Sequence, residues 1–347
     1  MTTYFTKKEI LQQPSTWQET LDVIQNDRES IFQFIHAFKP EEVIFTGCGT
    51  SYYISISAAL TFMEITGISA RAVPASEIFI KPEAVINPNK KTLVIGASRS
   101  GTTTEVVRAL EYVKTHHLGE TLAVTAYPES DLVKHASLSI SLPHVQEKSV
   151  VMTSSFTNIL LSLNLLAAIV AEDRSYYEEL SKLPEAGSAV MDDAIRFGQQ
   201  IGENLSIEHY IILGLGAYYG LACEGMLKMK EMTQVFCEAF NPLEFRHGPI
   251  SVLSEKCMTV LLGQEASADY DTALLKDLKK YRSQVAVIGK AADPVEDVKV
   301  VQIQGEFGDQ SRSILYLLYL QWMAYSRTLK LGLNPDEPRN LSQVVKL

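Results

Sequence analysis

Cysteine is scarce in this chain: four residues in 347 (Cys48, Cys223, Cys237 and Cys257), none in a CxxC or other zinc-type spacing. The scarcity excludes a disulfide framework and a structural zinc site, and it fits free, buried thiols in a reducing cytoplasm. Basic charge is in deficit as well. Against 41 acidic side chains stand 31 basic ones, for a net charge of −10. Nonspecific nucleic-acid or membrane-surface binding needs a basic patch, so neither nucleic acid nor membrane is expected as a partner. Long apolar runs are missing too. The longest, Phe156–Ala171, is broken by Thr157, Asn158, Ser162 and Asn164 and reads as a buried helix, too short and polar to span a bilayer. No secretory pattern opens the sequence, since Lys7-Lys8 leads into Glu9 and polar residues. A cytoplasmic location is the expectation. What remains is the make-up of a globular protein, 46% hydrophobic and 21% charged, at a length that suggests two domains.

The most informative stretch runs from Ile95 to Glu105, Ile-Gly-Ala-Ser-Arg-Ser-Gly-Thr-Thr-Thr-Glu. An apolar strand, Leu93-Val94-Ile95, ends in small hydroxyl residues and glycine and passes into the helix-period pattern Glu105–Leu110. Such a strand–loop–helix step aims backbone N–H groups and hydroxyls at one point, which attracts an anion, most often a phosphate. No Gly-Lys-Ser/Thr follows, so it is not a Walker loop. Taken alone it could be an ordinary Ser/Thr-rich helix cap. An acidic chain that binds an anion needs locally arranged donors, and this loop supplies them.

The chain repeats one design. Glu42–Tyr53 and Tyr210–Tyr219 are each a strand ending in Gly-x-Gly (Gly47/Gly49 and Gly214/Gly216) followed by a helix. Downstream, Thr92–Ile95 corresponds to Met258–Leu262, Leu122–Thr125 to Val285–Ile288, and Leu138–Leu142 to Val300–Ile303. Apolar strands alternating with helices predict an α/β fold with a parallel sheet in each half. The expected organisation is a helical segment over 1–38, interrupted near Gln13-Pro14, a first subdomain over 39–180, a second over 195–332, and a tail over 333–347. A helical, charged connector falls around Ser175–Gln200. The copies differ at the loop. Where the first has the hydroxyl run 98–104, the second runs into Gly263-Gln264-Glu265, whose carboxylate would repel phosphate. One anion site per chain, in the first half, is expected. A dinucleotide fold is disfavoured, because Gly47-x-Gly49 lacks the third glycine and Gly214-x-Gly216 has Gly220 one position late.

Glu224, Lys228 and Glu231 stand at i, i+4 and i+7 on one helix face. A solvated ion-paired stripe is the plain explanation, but Met226, Leu227 and Met229 between them are apolar and the helix follows a buried strand. His247 lies between Pro242 and Pro249 in Glu-Phe-Arg-His-Gly-Pro, on a loop or short turn near the glutamate-bearing helix at the carboxyl edge of the sheet. Together they suit aldose–ketose chemistry. A carboxylate can carry a proton between C1 and C2 of an open-chain sugar, and a histidine can exchange a proton with the ring oxygen. The other histidines show no ligand spacing, so neither metal nor cofactor is expected.

In combination these motifs resemble the double SIS (sugar isomerase) family, in particular the isomerase half of glucosamine-6-phosphate synthase and stand-alone glucosamine-6-phosphate deaminases. The resemblance covers nearly the whole chain: Glu9-Ile10 to Gln13-Pro14, Gly47-Cys48-Gly49-Thr50-Ser51, Ser98-x-Ser100-Gly101-x-Thr103, Glu147 to Phe156, Glu224 to Glu231, His247-Gly248-Pro249 and Asn334 to Leu341. It implies two tandem SIS subdomains, flavodoxin-like three-layer αβα units. It also implies a hexose phosphate substrate held by Ser51, Ser98, Ser100 and Thr103, with Arg99 in place of a family glutamine. By the same matching Glu231 is the C1/C2 proton shuttle, His247 the ring-opening acid–base, Lys228 a lysine near the reacting end, and Glu147 and Thr153 belong to the substrate site. His247 reaches in from the neighbouring subunit in the synthase, which implies a homodimer with shared sites.

Two departures from the synthase favour deamination. The sequence begins at the SIS portion, without the ammonia-releasing amidotransferase domain, and Gln343 stands where the synthase tail carries a Schiff-base lysine; Lys346 lies three residues further on. The expected reaction is glucosamine 6-phosphate to fructose 6-phosphate and ammonia. Thr102 replaces a frequent family glutamate. Alternatives are a deglycase of a fructosamine 6-phosphate such as fructoselysine 6-phosphate, or a phosphosugar sensor without turnover. The sensor is disfavoured because no basic recognition helix precedes the fold and Glu231 and His247 are retained.

Overall fold

The same strand–turn–helix step recurs along the chain: an apolar strand buried on both faces, then a helix laid back over the sheet. The computed structural model describes residues 4–290 and 295–343, so Lys346 lies outside the described residues. The chain divides into two compact units. One gathers Gln12–Lys148, Met152–Pro184 and the chain from Ser342; the other gathers the chain up to Leu11, Ser149–Val151 and Glu185–Leu341.

Helix α1 (Phe5–Leu11) ends just before α2 (Gln13–Phe38), where Pro14 sits in the first turn. Proline has no N–H to give there and is tolerated only at a helix start, which accounts for the break. The first unit continues with β1 (Glu42–Gly47), α3 (Thr50–Thr66), β2 (Ser69–Pro74), α4 (Ala75–Ile80), α5 (Pro82–Val85), β3 (Thr92–Ala97), α6 (Thr104–Thr115), β4 (Glu120–Thr125), α7 (Asp131–Lys134), β5 (Leu138–Ser141), α8 (Ser154–Val170) and α9 (Arg174–Ser181). Its strands are all parallel, in the order β2-β1-β3-β4-β5. Val106, Leu110 and Val113 of α6 pack onto Ile44, Val94 and Ala123 of the sheet. Helix α8 is buried on every face, as its apolar sequence requires. Among the described residues no helix is long and apolar enough to cross a membrane.

The second unit repeats the plan through α10 (Leu183–Gly202), β6 (His209–Leu213), α11 (Ala217–Thr233), β7 (Phe236–Phe240), α12 (Pro242–Phe245), β8 (Cys257–Gly263), α13 (Ala268–Lys280), β9 (Gln284–Gly289), β10 (Lys299–Val301) and α14 (Asp309–Lys330). Its parallel order is β7-β6-β8-β9-β10. Leu274 and Leu278 of α13 cover Ile211, Leu261 and Val287. The sequence pattern shows four strands per half, and each sheet has a fifth, β2 and β7. Both are edge strands whose apolar pattern is interrupted by Arg71 and Pro74 or by Glu238, so pairing with β1 or β6 defines them more than composition does.

The repeat extends to backbone angles. Gly49 has φ 54° and ψ −125°, and Gly216 has φ 57° and ψ −128°, each just before the helix that follows the first strand of its unit. A side chain at Gly47 would meet the Ser51 backbone at 2.5 Å, and one at Gly214 would meet Tyr218 closer still. Each Gly-x-Gly therefore lets helix and strand end approach backbone to backbone and then turns the chain through a region open to glycine.

Candidate active site

In this strand order the connections leaving β1 and β3 run to opposite sides, and the carboxyl edge between two such strands is where α/β sheets form a ligand crevice. Every residue expected on sequence to hold the phosphate or line its site lies on this edge of the first unit: Ser51 opens α3 after β1, residues 98–104 follow β3, and Glu147 and Thr153 precede α8. Within the loop the Ser98 and Thr103 hydroxyls are hydrogen-bonded at 2.9 Å, Gly101 donates its N–H to Ser98 Oγ at 3.1 Å, and Thr102 donates its N–H to Ser100 Oγ at 3.2 Å. Thr103 stands at the N-cap of α6 without a side-chain bond to the helix. Its hydroxyl belongs to the loop, and the positive end of α6 points into the same loop.

Arg99 and Glu147 form a buried ion pair, Nη1 to Oε2 at 3.1 Å. Burial alone would raise the Glu147 carboxyl; the Arg99 guanidinium and hydrogen bonds from Ser155 and Thr153 outweigh it and hold the group below the ordinary carboxylate range. Thr153 gives its N–H (2.7 Å) and its hydroxyl (3.0 Å) to Oε1, Ser155 gives its N–H to the same oxygen (3.1 Å), and the Ser155 hydroxyl bonds Oε2. With Arg99 that makes five donors on one carboxylate, enough to occupy its lone pairs. Thr153 is fully buried and gives both its N–H and its hydroxyl to this carboxylate. Gln343, at the family's lysine position, accepts from Arg99 Nη2 through its main-chain oxygen at 3.4 Å, and its amide donates to Lys148 O at 3.1 Å.

The equivalent loop of the second unit is built differently. Sheet register sets Gln264, Glu265 and Ala266 where the first unit has Arg99, Ser100 and Gly101. Gln264 spans the crevice to donate to Leu215 O at 2.8 Å. The N–H groups of Glu265 and Ala266 donate to the two oxygens of Asp309 at 3.0 and 3.2 Å. Glu265 itself pairs with Arg312 (3.1 Å) and Lys290 (3.4 Å). The expected repulsive carboxylate is present, and Asp309, which sequence reading passed over, already fills the place of an external anion. Its only signal in the sequence is an aspartate opening a helix.

Glu224, Lys228 and Glu231 do share one face of α11, and the face is not a solvated stripe. Lys228 is 1% exposed and Glu224 fully buried. The Lys228 ammonium lies 3.5 Å from Glu224 Oε1 and in contact with Glu231 Oε2, and only the Glu231 side chain, 20% exposed, reaches solvent. A buried ammonium is tolerated because two carboxylates meet it.

His247 is exposed on the turn after α12; its N–H donates to Glu244 O at 2.9 Å, and Gly248 (φ 123°) with Pro249 shapes the turn. The sequence reading set histidine and glutamate together at the carboxyl edge. The structure corrects this: α11 runs back from that edge, Glu231 lies near its far end, and β7 must return before α12 and His247 are reached. A five-residue strand spans roughly 16 Å, so Glu231 and His247 of one chain lie at opposite ends of β7. Among the described residues no cluster of three or more His, Cys, Asp or Glu could hold a metal ion. Cys223, Cys237 and Cys257 are buried and Cys48 half-buried, all as free thiols; burial and nearby Glu105 push Cys48 up to about 12.

The chain belongs to the SIS domain family, whose profile matches residues 38–169 and 206–325, one match in each sheet-bearing half. A glutamine–fructose-6-phosphate aminotransferase (isomerizing) from Bordetella pertussis is 29% identical over 365 aligned residues, covering 99% of this chain and 58% of that protein. The chain thus spans a little over half the length of the curated relatives it matches. Among solved structures, glucosamine-6-phosphate deaminase from Thermotoga maritima is 27% identical with a TM-score of 0.81, covering 99% of this chain and 100% of that one. Tagatose-6-phosphate ketose/aldose isomerase from Escherichia coli is 25% identical with a TM-score of 0.88, covering 97% and 96%. These relatives are named as enzymes acting on hexose 6-phosphates.

Proposed function

We propose that this chain is a phosphosugar aldose–ketose isomerase that deaminates an amino-sugar phosphate, glucosamine 6-phosphate to fructose 6-phosphate and ammonia. The observation that carries the reading is the α11 array, in which a buried ammonium holds two carboxylates and only Glu231 is open to a substrate. Ser51, Ser98, Ser100, Thr103 and Arg99 bind the phosphate. His247, supplied by a second copy in a homodimer, exchanges a proton with the ring oxygen and opens the ring. Glu231 then takes the C2 proton, and the electron pair moves into a C1–C2 double bond as the C1 carbonyl oxygen gains a proton. Return of the carried proton to C1, with loss of one N–H proton, leaves a hydroxyl on C1 and an imine at C2. Water adds to that carbon and ammonia departs, so the route needs no lysine at position 343. Lys228 neutralises the carboxylate as charge moves along the enediol-like intermediate.

Pure protein given glucosamine 6-phosphate is expected to release ammonia and fructose 6-phosphate in equal amounts. Failure with every 2-amino-2-deoxyhexose 6-phosphate overturns the deaminase reading, and release of lysine from fructoselysine 6-phosphate would replace it with the deglycase. Glu231→Gln should lower kcat by about 10²- to 10⁴-fold with sugar-phosphate binding intact. Equal loss of binding would make Glu231 structural, and a wild-type protein that binds without turnover would be a sensor.

A further inference from the structure

We propose that Gln343 is a positioning residue for the phosphate site: it clasps Arg99 against the loop at Glu147 and takes no part in proton transfer. The inference rests on the reading above that Arg99 meets the phosphate. Gln343 occupies the position at which the resemblance places a reactive amine, so its use has to be read from its contacts. Its main-chain oxygen receives Arg99 Nη2 at 3.4 Å. Its side-chain amide is directed at main-chain oxygens, Lys148 O at 3.1 Å and Glu147 O at 3.5 Å. One end of the residue therefore holds Arg99, and the other holds the short segment whose carboxylate grips the guanidinium from its other side at 3.1 Å.

Arg99 is nine-tenths buried and gripped from two directions. A guanidinium fixed in this way has lost its rotamer freedom before any ligand arrives, and its positive charge is already in place beside the loop. Glu147 fits the same role. Its oxygens are occupied by Thr153, Ser155 and Arg99, so it supports the cation and does not reach for a sugar hydroxyl. A lysine at 343 would place a second cation beside Arg99; a neutral amide supplies the clasp without that repulsion.

The test uses Gln343→Met, which keeps length and removes the amide, in the full chain with whichever sugar phosphate is turned over and with inorganic phosphate as competing ligand. KM and the phosphate inhibition constant should rise together by about 3- to 10-fold, the loss of one hydrogen bond, with kcat within twofold. In an Arg99→Ala background the same substitution should change neither constant, because its effect passes through Arg99. A fall in kcat with both constants unmoved puts Gln343 at the reacting carbons and overturns the proposal. So does no change at all, or an undiminished effect in the Arg99→Ala background. Should Arg99→Ala alone leave phosphate inhibition untouched, the phosphate role of Arg99 fails, a result distinct from anything Gln343 shows.

Discussion

Charged side chains inside this protein are kept only where partners meet them, and the exceptions mark where pH acts. Lys228 sits between two carboxylates, and Glu147 is held ionised by Arg99 and surrounding donors. Asp271 in α13 is different. It is 1% exposed and accepts from Ser267 Oγ at 2.7 Å, yet burial, with Asp309 nearby, pushes it up to about 6. A folded-state pKa above the unfolded value means the native state binds the proton more tightly. Stability is then greatest below the ordinary carboxylate range and falls as pH rises through about 6. Asp271→Asn should raise stability at pH 8 by about 1–3 kcal/mol, and denaturant midpoints for the two proteins should converge towards pH 4. A constant gap across that range would assign the effect to hydrogen bonding. At this scale the sequence showed which residues could do chemistry. Ser98, Arg99, Lys228 and Glu231 stand out by type and spacing, because phosphate binding and proton transfer demand those groups. It did not show that Glu147 and Thr153 spend themselves on each other, since that depends on which donors burial brings within 3 Å.

At the scale of elements, the Gly-x-Gly turns were legible because glycine alone fits them. Gly47→Ala would drive a methyl into the Ser51 backbone and should cost about 1–3 kcal/mol, read as a lower thermal midpoint with loss of the α3 start. An unchanged midpoint would mean that strand and helix can part without penalty. Strands β2 and β7 were missed because an edge strand owes its conformation to one neighbour's hydrogen bonds. Distance along the chain also misled. Glu231 and His247 are sixteen positions apart, and helix direction followed by β7 sends them to opposite ends of a strand.

For the whole molecule that separation has a consequence. If one sugar needs both groups, they come from two chains, so mixed dimers of Glu231→Gln and His247→Ala should contain one intact and one doubly defective site. Co-expressing the two inactive variants is then expected to restore up to about a quarter of wild-type activity. No recovery in isolated mixed dimers would place both groups in one chain's site. The two units reuse one topology with opposite charge: a loop cation meets a carboxylate in the first, and a loop carboxylate meets Arg312 in the second. With that inversion, Asp309 is seated on the second loop's N–H groups, and the proposed phosphate site falls in the first unit.

Periodicity and glycine placement are local, so the sequence by itself determined the repeated α/β plan, the strand-to-helix turns and the residue types available for chemistry. Which carboxylate is open, which loop is already filled from within, and where the tail's glutamine is anchored were decided by the tertiary structure. Each depends on groups brought together across tens to hundreds of residues, and the identity of a side chain does not reveal which of its possible partners burial will select.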